Sequence, residues 1–237
     1  MKVKGKKIGY VLTGSFCTFS KTIPIIKELI KNEAEVIPIM SYNSYKLDTK
    51  FGKAQDFINE IEEITEKKII HTIQEAEPIG PKKMTDIMVI APCSGNTISK
   101  LACDIIDTPA TMAAKSHLRN NRPLVIAVST NNGLGSNAEN IGKLLYRRNY
   151  YFVPFKQDNP ITKPRSIVAD FNMIIKTIEF ALDEEQISPI IWWFMDRAKI
   201  ISVFGARIKK HQHFNDKENI NREEKRKEKR WRKRHSK

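Results

Sequence analysis

The segment MVIAPCSGNT holds the residues best suited to chemistry. Ser94, Gly95, Asn96 and Thr97 follow a continuous apolar run at residues 87–91 and lead directly into Ile98 to Ala102, which can continue as a helix. Free backbone N–H groups and the positive end of a helix attract phosphate, and hydroxyl side chains add donors. The same residues would serve equally well as ordinary helix caps. A second loop of this kind, Thr13, Gly14 and Ser15, follows a first apolar run at residues 7–12. Two small polar loops after two buried strands can face one ligand if both lie at the carboxyl edge of an open sheet. The loop at 13–15 lacks GxGxxG and GxxxxGK[ST], which argues against a conventional NAD or ATP site there.

The elements that must position these loops alternate along the chain. Strands are expected at 7–12, 35–40, 87–91, 124–128 and 151–154, with Pro92 ending the third. Helices are expected from Ser20 as cap, over 51–65, over 110–120 with Pro109 at the first position, over 137–148, and over 166–186 as one long element. This alternation predicts an α/β fold, a parallel sheet with helices on both faces. Ser41 and Asn43 lie in a polar stretch after the second strand, and Asn131 lies in one after the fourth. The acidic residues of 51–65 belong to a solvated face. His71 stands without a carboxylate or cysteine partner in the sequence and is expected to be structural.

The 237-residue chain holds one sizeable core and an appendage. No apolar run approaches a membrane span, and a cytoplasmic location is expected. The three cysteines have no metal-ligand spacing, so free thiols are expected and no metal site. Residues 205–237 carry 14 Lys/Arg against 5 Asp/Glu, so +9 of the formal net charge of +14 resides there. A first domain is expected at 1–191, the boundary lying where the resemblance to a known family ends, followed by an apolar, basic and partly disordered C-terminal extension at 192–237. Such a tail could contact nucleic acid or anionic membrane, with affinity that falls with salt.

The run IAPCSGNTISKLA resembles the PASANT-type motif of the flavoprotein fold shared by phosphopantothenoylcysteine decarboxylases, and LTGS resembles that family's first phosphate-facing loop. LTGSFCT, FGKAQDFINEIEEIT, EAEPIGPKK, MAAKSHLRNNRP and FVPFKQDNP resemble, more closely, the dipicolinate synthase B-subunit family across about residues 6–191. The resemblance implies a Rossmann-like, flavodoxin-type three-layer αβα sandwich. It also implies a partnership with the dehydrogenase-like A subunit of dipicolinate synthase, in the mother cell of a sporulating bacterium. Together the two would oxidise dihydrodipicolinate, with NAD(P) used through the A subunit. Carried over residue by residue, Thr13, Gly14, Ser15, Ser94, Gly95, Asn96 and Thr97 would hold an FMN-type flavin phosphate. Ser41 and Asn43 would lie beside the ribityl or ring portion, and Asp107 and Asn131 would border flavin and substrate. A homo-oligomer is expected as well.

Two departures matter. EAEPIGPKKMTD has no histidine where decarboxylases of this fold carry a catalytic one, and VSTN keeps only the asparagine of their PxMN motif. Cysteine decarboxylation is therefore not expected. A free-standing flavin-dependent decarboxylase or oxidoreductase remains the alternative enzyme. If the chain binds the dicarboxylate, the candidate donors are Lys115, His117, Arg119, Arg122 and residues 156–158. The cationic cluster at 115–122 also fits a solvated helix end. Asn131, His117 and Asp158 are the candidate catalytic groups.

Overall fold

The computed structural model describes residues 1–191. They belong to the first of two units into which the chain divides, Met1–Trp192. The expected apolar-basic segment and charged tail lie outside the described residues.

Four apolar runs build the centre of the first unit. Strands β1 (Lys7–Leu12), β2 (Glu35–Met40), β3 (Ile87–Cys93) and β4 (Leu124–Thr130) pair in parallel in the order β2-β1-β3-β4. All seven residues of β3 are buried, as a strand covered on both faces requires. A short β5 (Tyr150–Phe152) continues the parallel pairing along the first half of β4. The helices are α1 (Phe19–Lys31), α2 (Tyr42–Lys46), α3 (Ala54–Thr65), α4 (Ile73–Ala76), α5 (Gly95–Ala102), α6 (Pro109–Leu118), α7 (Asn137–Tyr146) and α8 (Ile174–Leu182).

The β1-to-β2 crossover runs in one direction along the sheet and the β3-to-β4 crossover in the other. Right-handed connections therefore put their helices on opposite faces. Accordingly α1 packs against α3 and α8, whereas α5 packs against α6 and α7. The reversal falls between β1 and β3. There the loops at the carboxyl ends diverge and open a crevice.

The sheet is mainly parallel, and the exception lies beside that crevice. β6 (Phe155–Asn159) and β7 (Lys163–Ala169) form an antiparallel hairpin, and β7 pairs antiparallel with the last two residues of β4. The long helix expected over 166–186 is thus corrected. Its first residues belong to β7, Asp170 accepts a bond from the Asn172 N–H to start a 3-10 turn, and α8 follows at Ile174. Ser20 does not cap α1, because a 3-10 turn at Phe16–Thr18 leads straight into the helix at Phe19. Nor does Pro92 end β3. Pro92 has no N–H to contribute, and the pairing with β4 is interrupted after Ile90 and resumes at Cys93↔Val128.

Candidate functional site

The geometry of the crevice starts from Thr13. This buried side chain sits where β1 ends, and its Oγ1 donates to Pro92 O at 2.8 Å and accepts from Ser94 N–H at 2.9 Å. One hydroxyl so fixes the first loop against the second. Ser94 then caps α5: its Oγ accepts from Thr97 N–H at 3.4 Å and lies 3.1 Å from Thr97 Oγ1. Helix α5 begins at Gly95, three residues before the expected start. Its first two amides, Gly95 and Asn96, have no protein acceptor among the described residues. An N–H pair of this kind at a positive helix end suits a phosphate.

Gly95 is required by close approach. A Cβ there would lie 2.5 Å from Thr130 Oγ1 and 2.6 Å from Asn137 Nδ2. Asn137, buried at the start of α7, accepts from Ser99 Oγ at 2.8 Å and ties α7 to α5. On the other side of the crevice, Ser15 Oγ lies 2.9 Å from Ser129 Oγ and 3.1 Å from Ser129 O. The carboxyl ends of β1, β3 and β4 and the β6–β7 hairpin thus converge on one cavity of about 580 Å³, a size suited to a cofactor or substrate.

Gly14, Ser15, Ser94, Gly95, Asn96, Asn131 and Asp158 all line this cavity. Thr13 and Thr97 stand behind it as supports. Ser41 caps α2, with its Oγ 2.8 Å from Ser44 Oγ, which itself donates to Leu12 O. That turn brings Asn43 against Gly14, within 3.9 Å of a Cβ built there. Asp107 is elsewhere, held by Lys100 Nζ at 2.6 and 2.5 Å. His117 also lies apart from the cavity and is buried. Its Nε2 donates to Pro123 O at 2.9 Å, so Nδ1 accepts from the Thr85 hydroxyl at 2.8 Å. Burial pushes its pKa down to about 4, and the ring is neutral and fully engaged.

The hairpin supplies groups absent from the expected set. Lys163 pairs with Asp158 at 2.8 Å, and Ser166 Oγ lies 3.4 Å from Asn131 Oδ1 and 3.5 Å from Asp158 Oδ2. Lys21 and Lys163 give the cavity two cations against one carboxylate, Asp158. Lys21 lies one residue beyond the expected cap Ser20 and Ser99 two beyond the expected loop at 94–97, so helical spacing was their available signal. Lys163 had none. His71 reaches the carboxyl edge because Ile70 bridges to Ile39 alongside β2; its ring stacks on Tyr45 at 3.9 Å and faces Glu75 at 3.4 Å. Among the described residues no group of three His, Cys, Asp or Glu could hold a metal ion, and no helix is long and apolar enough to cross a membrane.

An amide pair, a row of hydroxyls and a glycine-dependent close approach at the switch point of a Rossmann-like sheet place the chain among the α/β proteins of the doubly wound class, with a crevice whose chemistry suits a phosphate group. These residues fit the phosphate end of FMN. The sequence matches the flavoprotein family over residues 1–178. It is 46% identical over 189 residues to the B subunit of dipicolinate synthase from Bacillus subtilis (strain 168), covering 80% of this chain and 94% of that one. The crystal structure of the corresponding B subunit from Bacillus halodurans C superposes with a TM-score of 0.76 at 43% identity, covering 82% of this chain and all of that one. The FMN-dependent cysteine decarboxylase SpaF has the same fold, with a TM-score of 0.59 at 20% identity over 77% of this chain and 98% of its own. The chain belongs to the flavoprotein family, within its dipicolinate synthase B-subunit group.

Proposed function

We propose that this chain acts with a dehydrogenase-like A subunit to oxidise dihydrodipicolinate to dipicolinate in the mother cell during sporulation, and that its crevice holds an FMN-type phosphate. The reading rests on one conjunction: an open amide pair at Gly95 and Asn96, flanked by Ser15 and Ser94, in a chain 46% identical to the B subunit of a dipicolinate synthase. In the reaction the dihydropyridine ring loses a hydride and a proton and becomes aromatic. The hydride passes to NAD(P)⁺ held by the A subunit, which is thereby reduced.

Within this chain, Gly95 and Asn96 N–H and the hydroxyls of Ser15 and Ser94 bind the phosphate. Lys21 and Lys163 offset its charge. Asn131, Asp158 and Ser166 form the far wall, where Asp158 and Asn131 orient the bound group, and Asn43 flanks it beside Gly14. Bound FMN would supply a two-electron carrier at this position.

The test is an absorbance spectrum of the purified chain with and without added FMN, followed by dihydrodipicolinate oxidation with the A subunit present or absent. Bound yellow flavin that is lost in Ser94→Ala, together with turnover that requires both chains, is the expected result. A colourless chain that retains no FMN removes the flavin from this reading. Full turnover by the A subunit without this chain removes the partnership.

A further inference from the structure

A second, larger cavity of about 740 Å³ lies at the opposite edge of the sheet, between the C-terminal ends of α5 and α6 and the start of β5. Lys100, Lys115, Arg119, Arg147 and Arg148 line it, against the single carboxylate of Asp104. Two of these cations are already committed. Lys100 is paired with Asp107. Arg147 makes a two-pronged contact with Asp104 at 3.0 and 3.1 Å and also donates to Leu101 O and Ala102 O at 3.0 Å. Lys115, Arg119 and Arg148 have no ion-pair or side-chain hydrogen-bond partner among the described residues.

The cavity is charged on its walls and apolar elsewhere. Leu101, Ile105, Ile106 and Leu118 contribute to its lining, and Ile105 is 47% exposed. A phosphate would find poor company here. The helix ends that border the cavity are negative C-termini, and the one N-terminal residue, Thr111, is closed in a capping box with Thr108. The available donors are separate cationic side chains around an apolar surface. Guanidinium forks and an ammonium group so arranged complement carboxylates carried at two points of a flat ring.

We propose that this cavity binds small planar dicarboxylates, with Lys115, Arg119 and Arg148 engaging the carboxylates and Ile106 and Leu118 contacting the ring. Substrate and product of the proposed reaction belong to that chemical class, so the choice of ligand rests on the proposed function. The site would let this chain hold a ring dicarboxylate away from the flavin crevice. It also separates two roles within one sheet: phosphate at the carboxyl edge and dicarboxylate at the amino edge.

The experiment is calorimetric titration of the purified full chain with benzene-1,3-dicarboxylate, which keeps the carboxylate spacing but does not chelate metals, and with dipicolinate in EDTA. Saturable binding at one site is expected. It should weaken at least tenfold in the Lys115→Met/Arg119→Gln/Arg148→Gln variant and with benzoate, and stay unchanged in Asn96→Ala. All three substituted side chains are exposed, and a thermal melt within a few degrees of the parent confirms folding. No saturable binding, unchanged binding in the triple variant, or loss in Asn96→Ala would overturn the proposal. Oxidation assays separate the two readings: failure of turnover with the A subunit, with charge-dependent dicarboxylate binding intact, removes the proposed reaction and leaves this site standing.

Discussion

Thr13 and Ser94, 81 residues apart, are joined through a single oxygen: Thr13 Oγ1 accepts the Ser94 N–H at 2.9 Å while donating to Pro92 O at 2.8 Å. The residue that looks most like a phosphate donor in the first loop is therefore spent on holding the second loop in place. Thr13→Val keeps the shape but leaves the part-buried Ser94 N–H without its acceptor and Pro92 O with only the longer bond from the Thr13 N–H, at 3.3 Å. Loss of about 1–3 kcal/mol is expected, read as a lower urea midpoint, together with weaker FMN retention. Thr13→Ser should keep both.

Gly95→Ala separates backbone geometry from side-chain chemistry. The new methyl would meet Thr130 Oγ1 at 2.5 Å and Asn137 Nδ2 at 2.6 Å, so the first turn of α5 must shift away from β4. The shift misplaces the Gly95 and Asn96 amides without removing any side-chain donor. We expect FMN retention to fall at least tenfold by absorbance after gel filtration. Titration with benzene-1,3-dicarboxylate should be unaffected, since its cavity lies at the other edge of the sheet.

His117 makes stability depend on pH. Its folded pKa of about 4 lies below the ordinary value of 6.5 because burial penalises the imidazolium. The unfolded chain takes up a proton below pH 6.5 that the folded chain refuses. The stabilisation present above pH 6.5 is therefore lost as the pH falls toward 4, reaching about 3 kcal/mol. Urea midpoints at pH 7 and pH 4.5 check this. His117→Gln should lower stability at pH 7, through the lost bonds to Thr85 and Pro123, but shrink the difference between the two pH values.

Much of this arrangement was legible in the residues. Strands β1 to β4 announce themselves as apolar runs because both faces of the sheet are covered, and Ser94 caps its helix as its residue type allows. The hairpin was not legible. FKQDN is exposed after its first residue, so its strand carries no alternation, and β7 places Val168 at a spacing that continues the helical pattern of Phe171, Ile174 and Ile178. Its register is set by pairing with the end of β4, a long-range contact with no local trace. The roles of Asp107 and His117 were equally hidden, because each is decided by a distant partner: Lys100 for the carboxylate, and Thr85 with Pro123 for the ring.

That hairpin stands against the crevice through Gly133. A Cβ at this position would fall 1.7 Å from Ile167 Cγ1 and 2.1 Å from Cδ1, while the next residue, Leu134, donates its N–H to Arg165 O at 3.0 Å. Backbone and side chain of β7 are thus seated on the loop after β4. Ile167 is 4% exposed and cannot move aside without lifting β7. Gly133→Ala should loosen the hairpin rather than the whole domain, since the three atoms nearest the new methyl all belong to Ile167 of β7. Faster limited proteolysis is expected near the exposed Ile161 at the hairpin tip, with weaker FMN retention because Asp158, Lys163 and Ser166 leave the crevice wall. Adding Ile167→Ala removes the Cγ1 and Cδ1 atoms and should recover part of the protease resistance, a non-additivity that a simple loss of packing at two sites does not produce. If the double variant is cut faster than either single one, the glycine is not what seats the hairpin.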